Sequence, residues 1–150
     1  MNGAVIVDTS IVIKWVLYEP DSPLAQALLR EWINREIEIR APALLAYEIT
    51  NSLYQKVRKG EITHKQADNA LTKALKSDLV LDFSRGTVLS LKAMQFADRF
   101  QLPAAYDAYF LALAEQRGCE LWTADTRMWR VVKGQLAWVH TLESYSPPSS

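Results

Sequence analysis

The sequence predicts an α/β fold built on a mostly parallel, five-stranded sheet. Three observations carry that expectation. Short apolar or β-branched runs of strand length recur along the chain, amphipathic helical stretches separate them, and capping residues punctuate the boundaries. Strands joined through helices make right-handed crossovers, and the binding crevice of such a sheet lies beyond the carboxyl ends of its strands.

Val5 to Asp8 is the first strand, short and β-branched, and Ser10 to Tyr18 a short helix. Ser22 and Pro23 supply an N-cap and a first-turn proline for the next helix. Its stripe is Leu24, Leu28 and Trp32 with Ala25, Leu29 and Ile33. Ile37 to Ile39 alternates as the second strand. Pro42 opens a helix to about Lys59, where Gly60 suits a left-handed terminus. Thr63 and Gln66 form a capping box for a helix whose inner face is Ala67, Ala70, Leu71, Ala74 and Leu75. Val80 to Phe83 is the third strand, with Ser84 capping a helix marked by Leu89, Ala93, Phe96, Ala97 and Phe100. The stretch from Pro103 to Arg117 is apolar almost all round, as a helix buried on most sides must be, and Gly118 ends it. Glu120 to Thr123 is the fourth strand, Thr126 starts a short helix, and Ala137 to His140 is the fifth strand. Residues 1–145 make one domain and 146–150 a flexible Ser/Pro tail.

The 150 residues suffice to bury a core without disulfides, and 49% hydrophobic with 23% charged residues is ordinary for a soluble globular chain. The single cysteine, Cys119, excludes an internal disulfide and any zinc-finger spacing, so a reducing cytoplasm is the expected compartment and a buried structural thiol the expected role. The apolar N-terminus is broken by Asp8 and Lys14 and has no basic leader, unlike a signal peptide, and no uncharged run reaches the roughly 20 residues that span a bilayer. Net charge is zero, from 17 basic and 17 acidic residues, so any nucleic-acid binding must rest on a local basic patch.

Four acids stand where apolar segments are interrupted or end: Asp8, Glu48, Asp107 and Asp125. Each has an ordinary alternative. Asp8 and Asp125 precede capping sequences, Glu48 shares a partly polar stripe with Asn51 and Gln55, and Asp107 gains from a helix dipole. If the fold gathers them, two carboxylates about 5 Å apart repel by roughly 3 kcal/mol at an effective dielectric of 20, and four demand a cation or protonation. Hard oxygen donors without nearby His or Cys favour Mg²⁺ or Mn²⁺, suited to metal-assisted phosphoryl displacement. Thr9, Ser10, Asn51 and Thr123 are placed to support the carboxylates. Asp82 also ends a strand but is set apart, because its strand lies about 9–10 Å from the first if the two are not neighbours. Lys14 and Arg127 are the best candidates to hold the phosphates of such a substrate, ahead of Lys56, Arg58, Lys59 and Arg130. Tyr106, Tyr109 and Trp129 are possible stacking surfaces, and His64 and His140 have no assigned role.

Val-Asp-Thr-Ser at the start, Glu48 within Pro-Ala-Leu-Leu-Ala-Tyr-Glu-Ile-Thr-Asn, Tyr-Asp-Ala-Tyr around Asp107 and Thr-Ala-Asp at 123–125 together resemble the PIN-domain family. Within it the likeness is to the VapC-type toxin ribonucleases, in order and spacing over essentially the whole chain. The resemblance implies a three-layer α/β/α arrangement, a Mg²⁺- or Mn²⁺-dependent endoribonuclease acting on RNA, a homodimer, and neutralisation by a small antitoxin. Asp8, Glu48, Asp107 and Asp125 match the family's catalytic, metal-binding acids, and Thr9, Ser10, Asn51 and Thr123 fall where supporting polar residues are common. A haloacid-dehalogenase-like phosphohydrolase would need a second Asp where Ser10 stands. A receiver domain would need paired acids after the first strand. The isolated glycines exclude a phosphate-binding glycine loop. A non-catalytic α/β interaction module is the rival from another class.

Overall fold

The computed structural model describes residues 3–83 and 86–149. The strands are β1 (Ala4–Val7), β2 (Glu38–Pro42), β3 (Val80–Asp82), β4 (Glu120–Thr123) and β5 (Val139–Thr141). They form one sheet in the order β3-β2-β1-β4-β5, parallel at every pairing. The helices are α1 (Thr9–Val16), α2 (Ser22–Asn34), α3 (Leu44–Arg58), α4 (His64–Leu75), α5 (Thr87–Arg99), α6 (Ala108–Arg117) and α7 (Thr126–Val132). The three-layer, parallel α/β/α arrangement expected from the sequence is the one observed.

Sheet register decides which side chains meet. Val5 lies opposite Ile39 on β2 and Glu120 on β4, and Val7 lies opposite Trp122. The chain order reverses between β1 and β4, and the Asp8 amide extends that ladder by donating to the Trp122 carbonyl at 3.3 Å. On one face α6 crosses β1, β2 and β4 with α5 behind it. On the other face α1 packs with α2, α3 and α4, and α3 with α4. Buried Phe110, Leu111 and Leu113 of α6 explain its nearly all-apolar sequence. Trp15, Trp32 and Trp122 meet edge to face, with ring centroids 6.3 and 5.9 Å apart, and tie α1, α2 and β4 together.

Several boundaries differ from the sequence reading. Helix α6 begins at Ala108 rather than Pro103, because Ala108, Tyr109 and Phe110 donate to carbonyls three residues back, turn bonds that precede regular helix. Pro42 ends β2 instead of opening α3, and the second and fifth strands sit later, at Glu38–Pro42 and Val139–Thr141. Asp21, not Ser22, takes the N-cap position of α2. The Ser22 hydroxyl instead donates to the Leu17 carbonyl at 3.1 Å and accepts from the Glu19 amide at 2.8 Å. Ile33 and Leu75 are exposed, at the edges of their helical stripes. Cys119 is half-buried rather than buried. The Thr63–Gln66 capping box is present, and Gly118 closes α6 at φ 64°, the left-handed region glycine enters without steric cost. The cap expected at Ser84 lies outside the described residues.

Leu121 is fully buried at the centre of the sheet. Replacing it with alanine is expected to cost about 2–5 kcal/mol. In urea titrations the midpoint should fall while the slope with denaturant stays constant. An unchanged midpoint contradicts the placement of Leu121 in the core.

Candidate active site

Asp8 leaves β1 at its carboxyl end and caps α1, its Oδ1 accepting the amides of Ser10 at 3.1 Å and Ile11 at 3.4 Å. The capping alternative is therefore met, but it accounts for only part of the contacts. Ser10 Oγ donates to the same oxygen at 2.5 Å and accepts the Ala124 amide at 2.8 Å. Thr123 Oγ1 donates to Asp8 Oδ2 and accepts the Asp125 amide at 2.9 Å. Two hydroxyls thus bolt the end of β1 to the end of β4 through one carboxylate.

Asp125 caps α7, its Oδ1 accepting the amides of Arg127 at 3.0 Å and Met128 at 3.3 Å. Glu48 is presented by the first half of α3, beside the buried stripe of Leu45, Ile49 and Leu53, and its Oε1 accepts the Thr9 hydroxyl at 2.8 Å. Asp107 occupies the N-cap position of α6 without making a side-chain cap bond. These elements bring Asp8, Glu48, Asp107 and Asp125 onto one hollow of ≈ 300 Å³, together with Thr9, Ser10, Asn51, Ser52 and Phe110. Thr123 stands behind it, buried against Asp8.

The electrostatics of the hollow are those of crowded anions. Burial, aided by the neighbouring charge of Asp125, lifts the Asp8 pKa from 3.8 to about 6, although Ser10, Thr123 and the Ile11 amide all favour its ionised form. Glu48 is raised by burial and by the charge of Asp107, against the Thr9 bond. Asp107 is raised by burial and by Asp125, with Arg127 acting in the opposite sense. No Lys or Arg lines the hollow.

That donor set fits a hard divalent cation: four carboxylates, three hydroxyls and an amide, with no imidazole or thiolate among the lining residues. Among the described residues, no three His, Cys, Asp or Glu side chains are drawn tightly enough to enclose a metal ion as they stand.

Other sequence expectations fall differently. Lys14 does not line the acidic hollow. Its ammonium meets Asp21 at 2.8 Å and Glu19 at 3.2 Å, and it borders a separate hollow with Trp15, Tyr18 and Lys73. Burial works to lower its pKa, but those two acids outweigh it and raise it. The expectation that Lys14 faces phosphate is therefore corrected: a cation already neutralised by two acids is a poor phosphate ligand. Arg127 is exposed one step inside α7 and acts electrostatically on Asp107. Asp82 lies outside the hollow, with Arg117 at 2.5 Å and Arg40 at 3.6 Å. His140 stacks on Trp122, 5.0 Å between centroids, with Nε2 3.0 Å from Glu120. Ser52 was not anticipated, although its i+4 spacing from Glu48 places both on one helix face. Phe110 carried no signal, because an apolar residue in an apolar helix reads as core.

Comparison with known proteins gives consistent results. A family model described as PIN domain matches residues 5–134. Ribonuclease VapC3 of Pyrobaculum aerophilum is 28% identical over 128 residues, covering 82% of this chain and 90% of that protein. Among solved structures, PAE2754 from Pyrobaculum aerophilum superposes with a TM-score of 0.64 at 23% identity, covering 93% of this chain and 92% of that one. A toxin-antitoxin complex from Klebsiella pneumoniae gives 0.62 at 16% identity, covering 92% and 97%.

Because the Asp8 pKa is raised on folding, its stabilising contribution is whole below about pH 4 and is lost as pH rises through about 6. The loss approaches about 3 kcal/mol above pH 7 without divalent metal. Asp8→Asn should therefore stabilise the chain by 1–3 kcal/mol, roughly, at pH 7 and by little at pH 4, read from urea midpoints at both values. A variant less stable than the parent at pH 7 contradicts the crowded-anion account.

Proposed function

The chain belongs to the PIN-domain family, and from that premise we propose that it is a Mg²⁺- or Mn²⁺-dependent endoribonuclease, the toxin of a toxin–antitoxin pair. The observation that carries this reading is the single hollow lined by four carboxylates drawn from positions 8, 48, 107 and 125, with no basic residue in its wall. Such a wall is unfavourable for stability by itself and is explained by binding a cation. The ribonuclease name of the Pyrobaculum aerophilum relative and the toxin-antitoxin assembly of the Klebsiella pneumoniae neighbour support the choice of substrate and partner.

In this reading Asp8, Glu48, Asp107 and Asp125 hold the metal, which when bound supplies Lewis acidity at the scissile phosphate. Ser10 and Thr123 fix both oxygens of Asp8, and Thr9 fixes one oxygen of Glu48. Asn51 borders the carboxylates as a neutral donor. Raised pKa values suit Glu48 or Asp107 to accept the proton of the attacking water. Arg127 faces the phosphate beside Asp107. A cytoplasmic homodimer neutralised by a small antitoxin completes the proposal. The exposed Val88, Leu91 and Met94, on one side of α5, offer apolar surface for self-association, and no described helix is long and apolar enough to cross a membrane.

Purified free of inhibitor, the protein should cleave RNA with Mg²⁺ or Mn²⁺ and stop on adding EDTA. Asp8→Asn and Asp125→Asn should each lower the rate roughly 10²–10⁴-fold. Equal cleavage by parent and variants sinks the assignment. Saturating Mg²⁺, at about 100 times its Kd, should stabilise the parent by about 2.7 kcal/mol, and Asp8→Asn should lose most of that gain in thermal melts.

A further inference from the structure

We infer that α7 is a phosphate track, carrying the RNA backbone away from the acidic hollow along Arg127, Arg130 and Lys133. This rests on the nuclease reading and deepens it by assigning the strand a path.

The segment Thr126–Lys133 contains three cations and no acid, in a chain whose net charge is zero. Met128 and Val132 hold the inner side of α7 in the core, and Arg127, Arg130 and Lys133 are exposed. Arg127 and Arg130 are one helical turn apart and share a face. Several other cations are spent in ion pairs: Lys14 with Asp21, Arg40 and Arg117 with Asp82, Lys56 with Glu61 and Lys92 with Glu115. Arg58, Lys59, Lys65 and Lys76 are in no ion pair among the described residues but do not adjoin an acid of the hollow in sequence. Arg127, Arg130 and Lys133 form no ion pair with any described residue. Lys133 Nζ instead lies 5.0 Å from the centroid of the Trp129 ring.

The strip is anchored to the site at one end. Asp125 caps α7, and Arg127 lies within electrostatic reach of Asp107. A strand whose scissile phosphate sits among the four acids needs positive charge on its flank, because the acids repel the neighbouring phosphates. The strip supplies that charge at helical spacing, with no acid between its members.

The test measures binding of a labelled single-stranded RNA of mixed sequence to full-length Asp8→Asn protein with Mg²⁺, over a range of salt. Adding Arg130→Gln and Lys133→Gln should lower the slope of log K against log salt by about 1.4, at about 0.7 per lost contact, and weaken binding about 25-fold at about 0.1 M salt. Lys65→Gln with Lys76→Gln removes the same charge from exposed positions on α4 and at its C-cap and should leave the slope unchanged. An unchanged slope in the α7 variant, or an equal fall in the α4 variant, overturns the track while RNA cleavage by the parent leaves the nuclease reading standing. Loss of antitoxin capture with intact RNA binding assigns the strip to the protein partner and also overturns it. Absence of both RNA binding and cleavage in the parent overturns both readings.

Discussion

The carboxylate of Asp8 is the point on which the rest of the molecule converges. It is buried, it ends the strand at which the sheet order reverses, and it accepts donors from its own helix and from β4. A neutral residue there would still cap α1. Only a carboxylate takes a hydroxyl on each oxygen and still presents negative charge to the hollow. Thr123 and Ser10 also accept the amides of Asp125 and Ala124, so the link that orients Asp8 also orients the start of α7. One polar junction therefore couples strand register to the position of two acids from opposite ends of the sequence.

That coupling explains what the sequence disclosed and what it withheld. The strand Glu120–Thr123 was legible to the residue, because a buried strand between Gly118 and a capping Asp has clear limits. The four acids were legible because charge interrupting apolar runs is costly unless it is used. The start of α6 was not legible. Propensity treats Pro103–Asp107 as helical, and only tertiary packing turns it into successive bends and turns that leave Asp107 at the helix threshold. Lys14 misled for a related reason. Six residues separate it from Asp8 in sequence, but a helix spends that distance moving away, towards Glu19 and Asp21.

Under the proposed function, the hollow sets local stability against use. Burial opposes ionisation of Asp8, Glu48 and Asp107, and each of the three carboxylates feels another's charge. A domain selected for stability alone would replace at least one of them with a neutral residue. Natural chains break local rules of this kind at functional sites and compensate elsewhere, here in the apolar α6 and the tryptophan cluster beneath the sheet.

A net charge of zero is compatible with nucleic-acid chemistry once the charges are sorted by place. Most of the paired cations spend their charge on structure: Asp82 alone engages Arg40 and Arg117, and Lys14 is held between two acids. Four acids stand in the hollow, and beside them α7 and its C-cap Lys133 carry three cations that form no ion pair with any described residue. The field near the hollow is therefore a dipole, negative among the four carboxylates where the proposed metal would bind and positive along the adjoining helix. Summing charge over the whole chain erases that separation, and it is the separation that bears on a polyanionic substrate.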